Sequence, residues 1–185
     1  MHDHQPSSVD VLIASDRVPA NAHPERLTEA AIWDLLDRVK DPEVPVVSVV
    51  ELGIVRGLSW DGKHLQVDVT PTYSGCPATE LIEELIAEAM RAAGIRDPQI
   101  NRVLTPAWTT DWITPEGRDK LRAFGIAPPQ GSASKMSLLG ADEIVACPRC
   151  NSEHTERLSE FGSTACKALY RCRDCLEPFD YFKCI

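Results

Sequence analysis

The chain has 185 residues and a formal net charge of -9, and it is 43% hydrophobic and 25% charged with seven cysteines. This is the balance of a folded soluble protein with room for one ordinary domain and a small one, and it excludes disorder throughout. The acidic excess opposes nucleic acid and anionic lipid, which recruit proteins through clustered Lys and Arg.

Residues 1–24 are rich in Pro, Ser and His and read as a flexible tail in which His2, His4 and His23 are incidental. They lack the basic start and apolar run of a secretory signal, so a cytoplasmic protein is expected. The apolar stretch 44–55 is broken by Ser48 and Glu51, and no run reaches the ~18 residues that a membrane span requires.

Over residues 25–40, Leu27, Ala30, Ala31, Trp33, Leu35 and Val39 recur at three and four residues and predict a one-sided helix, ended at Asp41-Pro42. Residues 54–60 and 65–70 flank Asp61-Gly62 and predict a β-hairpin, with Leu65, Val67 and Val69 on its buried face. The next segment, 77–94, gathers Leu81, Ile82, Leu85, Ile86, Ala89, Met90 and Ala93 on one helical face and stops at Gly94. Residues 99–105 supply a third strand, and 116–124 a short helix entered at Pro115 and closed by Gly125. The expected organisation is α+β: a domain over residues 25–127, a Pro/Gly/Ser-rich linker over 128–142, and a β-rich module over 143–185.

That last module is too small to fold with confidence on apolar burial alone. Cys147-Pro-Arg-Cys150 and Cys172-Arg-Asp-Cys175 supply what is missing. A Cys-x-x-Cys turn points two sulfurs at one ion, and two such turns complete a tetrahedron, the spacing of a zinc ribbon. Four thiolates also suit an iron–sulfur cluster, so zinc is favoured over iron without being the sole choice. Cys166 and Cys184 read as small packing residues, with a second ligand pair or a redox couple as the alternative. A DNA-binding ribbon is disfavoured, because basic and acidic residues balance across the module.

In Thr70-Pro-Thr-Tyr-Ser-Gly-Cys76-Pro77 the cysteine stands just before the strongest helix, and Pro77 suits a first helical position. An N-cap cysteine gains thiolate character from the helix dipole, although a structural cap explains it equally well. Asp41, Glu43 and Glu51 could bring carboxylates toward Cys76 or be solvated turn residues, the reading that proline-flanked acids favour. Trp108 and Trp112 suit closure of a small core, with an interface as the second use. No nucleophile–base arrangement is legible, so catalysis by the chain alone is not expected.

Asp41-Pro42-Glu43 with Pro45, then Glu51-Leu52-Gly53, Thr70 and Ser74-Gly75-Cys76-Pro77 before a helix, resembles the SufT-like family of small iron–sulfur assembly domains over residues 28–126. With Pro106 to Trp112, Gly125 to Pro129, the two Cys-x-x-Cys pairs and the Leu176 to Cys184 ending, the chain outside its tail resembles the accessory subunits encoded with the bacterial phenylacetyl-CoA epoxidase. The resemblance implies a SufT-like domain followed by a zinc ribbon, working in phenylacetate catabolism. It implies a subunit that is no enzyme by itself and helps mature the di-iron or iron–sulfur centre of a multicomponent monooxygenase. The alternative is a docking or coupling subunit that handles no metal. Implied partners are the oxygenase or reductase subunits, with homo-oligomers left open. The family motif falls on Cys76, Asp41, Glu43 and Glu51 as a transient iron or iron–sulfur site, and on Cys147, Cys150, Cys172 and Cys175 as zinc ligands.

Overall fold

The computed structural model describes residues 27–73, 75–130 and 144–183. The expected tail, most of the expected linker, Ser74 and Cys184 lie outside the described residues. The described residues divide into two compact units, the first holding residues 27–71 and 77–104 and the second residues 72–73, 75–76, 105–130 and 144–183.

The first unit opens on helix α1 (Glu29–Leu36), where the Thr28 hydroxyl accepts from the Ala31 N–H at 3.2 Å as an N-cap. Its buried positions are Ile32 and Leu36, followed beyond the helix by Val39, all within 1% exposure. The spacing of four and three is the expected one, but the face is displaced: Ala30 is exposed, and Trp33 and Leu35 are only half-buried. Period alone does not fix phase, and Ile32 and Leu36 fit the same repeat.

Strands β1 (Val55–Asp61) and β2 (His64–Val69) pair antiparallel to the Asp61 and His64 closure, with Gly62 at φ 60° as the hairpin needs. Leu65, Val67 and Val69 alternate into the core as expected. Helix α2 (Thr79–Ala92) then carries the chain to β3 (Gln99–Arg102), which pairs parallel to β2. A parallel neighbour requires such a crossover, and α2 covers the sheet with Ile82, Leu85, Ile86, Ala89 and Met90. Leu81, expected on that face, is 41% exposed. Gly94 at φ 87° ends the run, and Arg102 donates to both Glu83 carboxylate oxygens at 2.6 and 2.8 Å, tying β3 to α2.

In the second unit, α3 (Pro115–Phe124) is capped by the Thr114 hydroxyl and stopped by Gly125 at φ 96°. The Arg118 guanidinium donates to the carbonyls of Thr110 and Pro129, each at 2.6 Å, which fixes the segments on either side of this helix. Strands β4 (Ile126–Ala127), β5 (Thr155–Ser159), β6 (Lys167–Cys172) and β7 (Pro178–Phe182) form one sheet in the order β4-β7-β6-β5.

The second unit thus starts earlier than the sequence suggests. Residues 105–127, expected with the first domain, cluster with the ribbon, because β4 pairs with β7 and Ala127 is fully buried in the ribbon core. Trp108 is 5% exposed with its ring 6.2 Å from that of Phe182, which is the core use expected of it, while Trp112 is half-buried in a short 3₁₀ turn, Thr110–Trp112. Cys166 is buried, its sulfur 3.0 Å from the Thr164 hydroxyl. Among the described residues, no helix is long and apolar enough to cross a membrane.

Candidate metal centre

Cys147 and Cys150 sit on the turn that precedes β5, and Cys172 and Cys175 on the turn between β6 and β7. The β5–β6 hairpin brings the turns together, since Thr155 stands opposite Cys172 in register. Cys147 and Cys172 are fully buried and share a core with Val145, Ala168, Tyr170, Phe179 and Tyr181. The Tyr170 ring stacks 6.0 Å from Phe179 and meets Tyr181 edge-on at 5.5 Å. Cys150 and Cys175 are exposed. The site therefore has a core-anchored side and a solvent side.

The two turns are built alike. Asn151 has φ 60° and Leu176 φ 64°, each just after the second cysteine of its pair. The left-handed residue turns the following N–H back toward the preceding sulfur, and Ser152 and Glu177 accordingly hydrogen-bond Cys150 and Cys175. Asn tolerates this backbone; a leucine there is strained by about 1–2 kcal/mol. Leu176 is 70% exposed, so little packing offsets the strain. Leu176→Gly is expected to raise the ribbon's stability by about 1 kcal/mol, read as a higher denaturation midpoint. A lower midpoint would show that the leucine side chain contributes more than its backbone costs.

All four sulfurs lie within 4.8 Å of one another, the one group of potential ligands so gathered among the described residues. Cys147 Sγ is 3.8 Å from Cys175 Sγ, and Cys150 Sγ is 3.5 Å from Cys172 Sγ. A metal–sulfur bond of about 2.3 Å gives tetrahedral edges of about 3.8 Å, so the donor set fits one four-coordinate ion. The charges agree. Backbone N–H groups of Cys175 and then Asp174 bring the Cys172 thiol down to about 6 against its burial. At Cys150 the Ser152 N–H pulls down, but the Cys172 thiol, burial and the Cys175 and Cys147 thiols outweigh it and push the group up to about 12. One thiolate forms readily, and a full set of four needs a cation among them.

The turns are braced from outside. Ser152 donates to Asp174 at 2.5 Å across the two turns, and Arg149 pairs with Glu177 at 3.3 Å. On the hairpin, Glu156 is held between Arg171 and Arg173, which keep its carboxyl below the usual range. The sequence carried no signal for these contacts, which join residues 15 to 28 positions apart.

The metal-ligand group does not include Cys76, Asp41, Glu43 or Glu51. Cys76 is half-buried and is not the N-cap of α2: that position is Ala78, which makes no side-chain cap, and the Cys76 N–H instead donates to the Tyr73 carbonyl at 3.1 Å. Pro77 continues the turn rather than starting the helix, so the expected dipole argument for this thiol loses its geometry. Asp41 and Glu51 are not solvated turn residues either, at 6% and 7% exposure. Asp41 Oδ1 accepts from the N–H groups of Glu43 and Val44 at 2.8 and 2.9 Å. Ser48 and Glu51 form a reciprocal capping box, the Glu51 carboxylate accepting from the Ser48 N–H and the Ser48 hydroxyl from the Glu51 N–H, both at 2.9 Å. That Ser-x-x-Glu spacing was visible in the sequence. Glu43 is half-buried in the same loop.

Two families match parts of the chain: the one described as "PaaD zinc beta ribbon domain" over residues 131–183 and the one described as "Iron-sulfur cluster assembly protein" over residues 29–101. An Escherichia coli (strain K12) protein, named as a putative 1,2-phenylacetyl-CoA epoxidase component, is 53% identical over 154 residues, 83% of this chain and 92% of that protein. The chain belongs to the PaaD family. Its SufT-like part is 32% identical over 78 residues to the Fe-S protein maturation auxiliary factor SufT of Staphylococcus aureus (strain USA300), 41% of this chain and 88% of that protein. A conserved hypothetical protein from Thermotoga maritima, 28% identical, matches at a TM-score of 0.44 over 51% of this chain and 94% of its own. The PaaD-family chain thus joins a SufT-like α+β domain to a zinc ribbon, the fold class expected from the sequence.

Proposed function

We propose that the chain is a non-catalytic accessory subunit of a phenylacetyl-CoA epoxidase and assists assembly of a di-iron or iron–sulfur centre in the oxygenase or reductase component. The observation that carries this reading is the 53% identity to a protein named as a component of that epoxidase, in a chain whose first part matches iron–sulfur cluster assembly proteins. The ribbon, in this reading, takes one zinc on Cys147, Cys150, Cys172 and Cys175 as a structural cross-link. Support comes from the mutual 4.8 Å limit on their sulfurs. A cluster of several irons would spread its thiolates onto different metals and so farther apart. Four protein ligands also leave no open coordination position for chemistry. A cytoplasmic location suits a site that needs reduced thiols.

Iron or a cluster is the cargo, and Cys76 is the thiol we assign to touch it in transit. Asp41 and Glu51 already hold backbone N–H groups in their loop, which supports a part for them in shaping the domain. Cys76→Ser is expected to change stability by less than about 1 kcal/mol, since the residue is half-buried and caps no helix. It should nonetheless lower iron occupancy of the epoxidase, because a serine hydroxyl stays protonated where a thiolate binds metal.

The test is to purify the epoxidase from cells that hold the wild-type chain, Cys76→Ser, or no chain, and to measure iron per oxygenase and turnover. Iron that falls without the chain supports assembly. Equal iron with reduced turnover in the absence of the chain would instead make it a docking or coupling subunit.

A further inference from the structure

The four sulfurs are disposed unequally. Each exposed sulfur has a buried one as its close neighbour on the opposite turn: Cys150 beside Cys172 at 3.5 Å, and Cys175 beside Cys147 at 3.8 Å. These short contacts span 22 and 28 residues of chain, so each joins the two turns.

We propose that the site doubles as two dithiol–disulfide couples, with Cys150 paired to Cys172 and Cys175 paired to Cys147. The oxidant is hydrogen peroxide, and the exposed sulfur is the one that it can reach. The exposed Cys150 sulfur attacks a peroxide oxygen, the O–O bond breaks, the thiol proton passes to the departing oxygen, and the products are a sulfenic acid and water. The Cys172 thiolate then displaces the sulfenic oxygen as hydroxide, forming the S–S bond. Cys175 and Cys147 react in the same way. Each disulfide consumes one peroxide and gives up two electrons to it, and, counted from the protonated groups, four thiols and two peroxides give two disulfides and four waters. Any divalent ion that they held is released, because a disulfide sulfur is no longer an anionic ligand.

Pairing across the turns has a structural consequence. A bond within one Cys-x-x-Cys turn would leave the two turns with only the Ser152–Asp174 hydrogen bond and the Arg149–Glu177 ion pair between them once metal is gone. Bonds between turns replace the metal's cross-link with covalent ones that close loops of more than twenty residues, which restrict the unfolded chain. Oxidation therefore empties the site while the ribbon stays folded. The metal of the ribbon becomes peroxide-releasable, and thiol reductants restore the ligand set.

The experiment uses the full chain, with metal content measured first, titrated with hydrogen peroxide. A chromogenic chelator follows metal release, far-UV circular dichroism follows the fold, and a non-reducing peptide map after alkylation identifies the bonds. The expected result is Cys150–Cys172 and Cys147–Cys175 disulfides, release of the metal in step with them, retained strand signal, and reversal by dithiothreitol. A map dominated by Cys147–Cys150 and Cys172–Cys175, sulfinic acid without disulfides, or loss of the strand signal together with the metal would overturn the proposal. Repeating the map with Cys76, Cys166 and Cys184 all replaced by serine removes competing thiols; if that variant fails to fold, the wild-type map decides. Only the release step rests on the metal reading. A chain that binds no ion would sink that reading alone, and the disulfide map would still judge this one.

Discussion

Cys172→Ser is expected to abolish metal binding and unfold the ribbon. Metal contributes on the order of 10–16 kcal/mol to a structural four-ligand site at neutral pH, against a total of about 5–15 kcal/mol for a whole folded domain. Losing it outweighs everything else that the module gains from burial. Cys172 is the severe position because its sulfur is fully buried and is also part of the apolar core with Tyr170 and Phe179. The damage should spread toward the N-terminus, since β4 pairs with β7 and Ala127 lies in that same core. Hydrogen exchange would then show lost protection from Thr155 to Phe182 and at Ile126 and Ala127, while β1, β2 and α2 keep theirs. A chelator should reproduce the pattern in the wild-type chain. If both units melted together, or the ribbon kept its protection, the division into two stability units would be wrong.

The second large effect is expected at Asp180. On the face of the ribbon sheet opposite the tyrosine core, the Lys167 side chain is only 4% exposed and its ammonium lies 3.9 Å from Asp180, whose own side chain is 20% exposed. Ser163 donates to the same carboxylate at 2.7 Å. Asp180→Ala leaves a buried ammonium without its countercharge, and such losses cost about 3–5 kcal/mol. The partial exposure of Asp180 argues for the lower end, about 3 kcal/mol. Adding Lys167→Met should recover most of that loss, because the pair as a whole contributes little beyond an apolar packing of similar volume. Denaturant melts of the single and double variants check this, and a single variant as stable as the wild type would mean that Lys167 reaches water. Gly162 guards the same pair: a Cβ there would collide with the Asp180 carboxylate and stand 3.3 Å from the Lys167 Cβ.

Much of this architecture was legible because its causes are local. Asp61-Gly62 between alternating residues specifies a hairpin, the apolar repeat before Gly94 specifies α2, and Thr114-Pro115 with Gly125 brackets α3. The gathering of the four ribbon cysteines was legible for the same reason, as each pair is set by a two-residue spacing within one turn. The SufT-like motif likewise marked the family by its run of short-range turn residues.

What the sequence left open depends on residues far apart in the chain. The ribbon's true extent turns on β4 finding an edge on β7, a pairing across more than fifty residues that no periodicity announces. Cys76 looked like a cap because Pro77 suits a first helical turn, yet the chain delays the helix to Thr79 and leaves the cysteine in the preceding turn. Asp41, beside Pro42, and Glu51 looked like solvated turn residues, and the fold buries them against backbone N–H groups that would otherwise lack partners. The buried Lys167 and the strained Leu176 follow from strand register and knuckle geometry, which exist only once the turns are brought together. The sequence by itself therefore determined which residues could bind metal and which segments form helix or strand, because spacing and propensity act over a few residues. The tertiary structure alone decided which acids are buried, where the second unit begins and which sulfurs face one another, because burial and register are properties of the assembled chain.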